Sequence, residues 1–317
     1  MNTHTVKTVE FQNLGWMSAG HLYLPPDFDP ARQYAAIVST HPIGSCKEQT
    51  SGSVYGAALA RAGMIVLAFD ASFQGESGGA PRWLEDSALR VSDIRFAVDY
   101  LQSLPYVDAQ RIGAIGICGG GGYTIQAAMT DHRIRALASI TGVNFGRLMR
   151  EGFSQFRPLA ALQAIAQQRS AEAAGADRLE QDLLPASPQA AQQAGIQDVD
   201  VLQATEYYKT PRGQAANGQT RNLMSFNGAA VAWDAFQFAE QFLTQPLLVV
   251  AGDQPGGFGA YRDAHEIYGR AASRDKQLLI VPDCSHYDLY DQPEAVAQVL
   301  EQMLPFFRRH LAAESAR

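Results

Sequence analysis

The chain has 317 residues, 46% hydrophobic and 18% charged, which is ample material for a buried core and excludes global disorder. With 25 Lys and Arg against 32 Asp and Glu the formal net charge is −7, and no basic run exceeds Arg308-Arg309, which argues against a nucleic-acid partner. The start, Met1 to Lys7, lacks the apolar core of a secretory signal, and no window approaches the ~18 unbroken apolar residues of a membrane span. The three cysteines are too few for a disulfide framework, so the expectation is a cytoplasmic protein with free thiols.

In chain order, residues 5–11 and 16–24 bracket Asn13-Leu14-Gly15 and predict a hairpin. Short apolar runs follow at 35–40, 64–69, 112–117, 136–141, 247–251 and 277–281, as strands buried on both faces require. Between them, residues 87–104 place Val91, Ile94, Val98 and Leu101 on one helical stripe that stops before Pro105. The last segment, 294–311, repeats the pattern from Val296 to Leu311, with a kink expected at Pro305. The alternation predicts an α/β fold with a mostly parallel eight-stranded sheet covered on both faces.

From 145 to 233 the alternation stops. This stretch is rich in Ala and Gln, shows no clear strand, and is far longer than an ordinary crossover, so it reads as a helical cap. The expected division is a core of 1–144 and 234–317 with the cap inserted between. Phe145, Phe153, Phe156, Tyr207, Tyr208, Phe226 and Trp233 are too many aromatics for a wholly solvated excursion.

Gly116-Ile117-Cys118-Gly119-Gly120 is a G-x-C-x-G pattern between a predicted strand and a predicted helix. That is the setting of a nucleophile elbow, with a thiol in place of the hydroxyl. A helix N-terminus at the thiol predicts a stabilised thiolate. Gly75-Glu76-Ser77-Gly78-Gly79 also matches G-x-S-x-G, but five residues separate it from its strand and Pro81 follows, so Ser77 is set aside. No P-loop, dinucleotide fingerprint or metal-ligand set is present, so neither cofactor nor metal is expected.

These motifs, with His41-Pro42-Ile43-Gly44, the Asp70 to Gly79 loop and Cys284-Ser285-His286-Tyr287-Asp288, resemble α/β-hydrolases of the dienelactone-hydrolase-like branch. Tyr207 to Gly213 adds to the likeness, which spans the whole chain. The resemblance implies the α/β-hydrolase fold and a nucleophile, acid and histidine in that order: Cys118, Asp253 and His286, with Asp234 the reserve acid. It implies an oxyanion hole from the N–H groups of Gly119 and Ile43, and a glutamate, Glu48, near the thiol. The expected substrate is a small acyl compound: an ester, lactone or thioester. Carbon–carbon bond hydrolysis, acyl transfer, and a non-catalytic binding or thiol-sensing protein stay open. So does the oligomeric state, with a homodimer the assembly to test.

Overall fold

The computed structural model describes residues 4–152 and 157–313; Phe153 and Phe156 lie outside them. Among the described residues ten strands form: β1 (Thr5–Gln12), β2 (Met17–Leu24), β3 (Tyr34–Thr40), β4 (Ile65–Phe69), β5 (Val107–Ile117), β6 (Ile134–Ile140), β7 (Glu180–Asp182), β8 (Arg221–Leu223), β9 (Leu247–Gln254) and β10 (Lys276–Ser285). Eight make one sheet in the order β1-β2-β4-β3-β5-β6-β9-β10. The β1–β2 and β2–β4 pairs are antiparallel and the others parallel.

Strands β3 and β4 are buried along their whole length, which is why they read as unbroken apolar runs. Their side chains alternate between two cores. Ala36, Val38, Ile65 and Leu67 face one, with Ile94, Val98 and Leu101 of the helix Ser87–Ser103 and Ile125 of the helix Gly119–Thr130. Ile37, Val66 and Ala68 face the other, with Val299, Met303 and Phe307 of the helix Pro293–His310. Each buried aliphatic side chain contributes about 1.5–3 kcal/mol, so the two faces together hold the sheet.

Several boundaries differ from expectation for physical reasons. Strand β5 starts at Val107 rather than 112, because Asp108, Gln110 and Arg111 interrupt the apolar run while the backbone already pairs, Val107 opposite Tyr34. The terminal helix, Pro293–His310, runs through Pro305 as its apolar stripe predicts. The stretch between β6 and β9 contains the helices Phe145–Glu151, Pro158–Ala173, Pro188–Gln193 and Val199–Lys209. It also contains an antiparallel pair, β7 with β8, that the sequence did not announce. Strands of three residues are too short to show an alternating pattern.

Candidate active site

Strand β5 ends at Ile117, and Cys118 turns the chain into the helix Gly119–Thr130 with φ 54° and ψ −126°. The turn is fixed on both sides: Cys118 N–H donates to Ile140 O at 3.1 Å, and its carbonyl accepts from Val143 N at 2.9 Å. The glycines permit this packing. A Cβ on Gly116 would stand 2.2 Å from Gly120 O, and one on Gly120 2.5 Å from Thr40 O. The sequence therefore stores strain at one residue and aims its side chain outward from the sheet.

The thiol is buried, and burial pushes it up to about 11; hydrogen bonds with the Tyr290 hydroxyl and the Gly119 N–H favour the thiolate but do not prevail. The stabilisation expected from the helix terminus is therefore outweighed by desolvation, and the thiol rests neutral.

His286 follows β10 and is buried among Tyr287, Tyr290 and Phe258, with ring centroids 4.9, 5.5 and 5.7 Å away. Its Nδ1 lies 2.9 Å from Thr141 Oγ1 and its Nε2 3.4 Å from the Tyr290 hydroxyl. Burial pushes its pKa down to about 3, so the ring rests neutral. The Tyr290 hydroxyl therefore touches both the thiol and the imidazole. Two hydrogen bonds hold the loop that carries them: Tyr55 Oη to Leu289 O at 2.6 Å and Thr50 Oγ1 to Tyr290 O at 2.8 Å.

Ile43 packs on Gly119, where a Cβ would come within 2.6 Å of Ile43 Cδ1. Its loop is pinned by His41. The ring Nε2 accepts from Ala71 N at 3.0 Å, Nδ1 lies 2.6 Å from Pro42 O, and Arg90 donates to the His41 carbonyl at 2.6 Å. An apolar cavity of about 190 Å³ opens over Cys118, walled by Ile43, Val143, Phe145, Leu184 and Phe258 among others. Phe145 and Tyr208 of the predicted aromatic set line it. Trp233 instead packs on Tyr123, and Phe226 lies under Arg169.

The other expected site residues stand elsewhere. Asp253 is exposed at the end of β9, and its Oδ1 accepts from Cys284 N at 3.2 Å; the hydrogen-bonding partner of His286 Nδ1 is Thr141. Asp234 accepts from Asn144 Nδ2 at 2.7 Å and Phe236 N at 2.9 Å, which makes it a turn cap. Glu48 is engaged beside Cys46 and Lys47. It binds Lys47 Nζ at 2.6 Å, and that buried ammonium also holds Asp70 and Glu76 at 2.9 and 2.6 Å. These three carboxylates lie close enough together to suggest a metal site, but the lysine is the cation at their centre. Ser77 donates to Asp70 O at 2.6 Å and accepts from Ala19 N at 2.9 Å, so its hydroxyl is spent on the loop.

Two contacts of His286 escaped the sequence reading. Tyr290 lies four residues beyond it on the same loop, a spacing that a helical turn brings together. Thr141, at the end of a predicted strand, carried no local signal.

The sequence matches the alpha/beta hydrolase family over residues 48–299. The chain belongs to this family, and it is an enzyme of the α/β-hydrolase type. The uncharacterized protein YcjY of Escherichia coli K12 is 40% identical over 291 residues, 92% of this chain and 93% of YcjY. PA2218 of Pseudomonas aeruginosa is 32% identical over 313 residues, 96% of this chain and 81% of that protein. The crystal structure of PA2218 superposes with a TM-score of 0.87, over 98% of this chain and 95% of that one. The thiohydrolase AneE of Aspergillus aculeatus is 32% identical over 140 residues, 43% of this chain and 41% of AneE. A dienelactone hydrolase from Anabaena variabilis shares the fold at greater distance, with a TM-score of 0.52 and 15% identity over 97% of this chain and 99% of that one. Among the described residues no helix is long and apolar enough to cross a membrane.

Proposed function

We propose that the protein hydrolyses a carboxylic ester, lactone or thioester with an apolar acyl group, through an acyl-enzyme on Cys118. The observation that carries this reading is the position of the thiol. It sits on a strained elbow, hydrogen-bonded to a tyrosine that also meets a buried histidine, at the floor of an apolar cavity. The likeness to a thiohydrolase supports thioesters within the class.

The resting groups are a neutral thiol and a neutral imidazole, so the proton must leave sulfur as the carbon–sulfur bond forms. In the tautomer this requires, Nδ1–H donates to Thr141 Oγ1 and Nε2 is free to accept. The Tyr290 hydroxyl passes the proton on, taking one from Sγ and giving its own to Nε2. The carbonyl π pair moves to oxygen, where the N–H groups of Gly119 and Ile43 receive the charge. Collapse expels the alcohol or thiol, which takes the proton from the imidazolium. Water then attacks the acyl-enzyme with His286 as base, and Cys118 regains its proton. An acyltransferase would differ only in the acceptor of this last step.

A panel of p-nitrophenyl esters, lactones and acyl thioesters, with intact-mass detection of the acyl adduct, tests the reading. Cys118→Ala should bring turnover to background and lose the adduct while keeping the wild-type melting temperature. Near-wild-type activity in Cys118→Ala, with Ser77→Ala inactive, would overturn the assignment.

A further inference from the structure

We infer that Asp200, supplied by the stretch between β6 and β9, is the carboxylate that steadies His286 during turnover, acting across the hydroxyl of Thr141. The inference rests on the reading of Cys118 and His286 given above and adds a positioning residue to it. An imidazolium formed in a buried site needs a compensating negative charge, and Asp253 is turned to the Cys284 backbone at the sheet edge.

Asp200 lies in the first turn of the helix Val199–Lys209 and is 1% exposed. Its Oδ2 accepts from Phe258 N at 2.9 Å, whereas its Oδ1, also buried, has no hydrogen-bond partner among the described residues. A buried carboxylate oxygen left unpaired is costly, and its retention calls for a physical reason. Its surroundings supply one. Asp200, Thr141 and His286 wall a common cavity of about 10 Å³, roughly the room one water needs. Gly256 closes the same space, and a Cβ there would stand 2.2 Å from Asp200 Cγ, so only glycine lets the carboxyl lie where it does. Thr141 has φ 44°, an unfavourable conformation for a β-branched residue, and in it the hydroxyl meets His286 Nδ1.

The charges around the carboxyl fit the role. Asp198, on the same turn, is engaged with Val201 N and Gly257 N and adds negative charge. Arg147 lies on the far side of the Phe258 peptide, donating to its carbonyl and to Asp263. From the other packed elements come Tyr261 of the helix Ala260–Arg270, Cys118, Tyr287 and His286 itself. Arg147, paired with Asp263, is the cation of this set. Burial, with Asp198 adding to it against the Phe258 N–H, pushes Asp200 up to about 7. A positive charge growing on His286 would favour the ionised carboxylate.

The test uses the full chain with whichever ester the wild type turns over. Asp200→Asn should lower kcat on the order of 10²- to 10⁴-fold with little change in KM. It should also abolish the limb of the kcat/KM profile near pH 7, without lowering the melting temperature at pH 8. Thr141→Val should reproduce both effects and Thr141→Ser neither, which keeps the test sound if Asp200→Asn folds poorly. Asp253→Asn should stay within about threefold of wild type, a small fraction of a triad acid's effect. An intact pH limb and near-wild-type kcat in Asp200→Asn, or the predicted losses appearing in Asp253→Asn, would overturn the inference. An active Cys118→Ala would instead sink the underlying reading, so the two failures are distinguishable.

Discussion

Cys118 keeps its proton because it is buried, and this makes its alkylation a gauge of the site. With the thiol near 11, the thiolate fraction grows tenfold per pH unit across the neutral range. The iodoacetamide rate at Cys118, read by intact mass against Cys118→Ala, should therefore climb steadily from pH 7 to 10. A plateau reached below pH 8 would mean a preformed thiolate. Tyr290→Phe removes the hydroxyl that touches both Sγ and Nε2, and should lower kcat/KM on the order of 10²-fold while the acyl preference is unchanged. Wild-type kinetics in that variant would exclude tyrosine from the proton path. The legibility of these residues differs for a physical reason. Cys118 is written into five consecutive residues, because a turn is a local structure. Asp200 sits in Asp198-Val199-Asp200, which reads as an ordinary helix cap, and its partners Thr141 and His286 lie 59 and 86 residues away along the sequence.

The elements of the sheet were legible because central strands are buried on both faces and leave unbroken apolar runs. The stretch between β6 and β9 was not, since its folding depends on contacts with the core rather than on its own periodicity. Leu184, just beyond β7, is half-buried and forms part of the cavity wall. Leu184→Ala should shift the preference from short toward longer acyl groups by on the order of tenfold, as one or two methylenes of fit are worth about 1–3 kcal/mol. Its melting temperature should barely move. Phe145 lines the same cavity but belongs to a buried core, so Phe145→Ala should cost about 3–5 kcal/mol and impair all substrates alike. Equal loss on every substrate in both variants would show that neither side chain selects the acyl group.

On the scale of the whole molecule, the stretch between β6 and β9 is fastened to the segments that follow β9 and β10 instead of standing over them as a free lid. Asp198 and Asp200 hold the N–H groups of Gly257 and Phe258, and Arg147 grips Asp263 with a buried pair at 2.6 Å. Arg212 closes the other side: its guanidinium meets Asp291 at 2.7 and 3.0 Å and donates to Tyr287 O at 2.9 Å, one residue from His286. Such charge-assisted bonds contribute about 1.5–3 kcal/mol, and this one joins the Tyr207 to Gly213 segment to the histidine loop. Arg212→Met should therefore lower stability by that amount in a single calorimetric transition, and reduce kcat about tenfold as His286 loses its tether, on the scale of a group displaced from its working geometry. Arg212→Lys should behave like Arg212→Met, because an ammonium cannot span the carboxylate and the carbonyl together as the planar fork does. Two separate transitions in either variant, or unchanged kcat with the stability lost, would mean that the two parts fold independently and that the histidine loop holds its shape unaided.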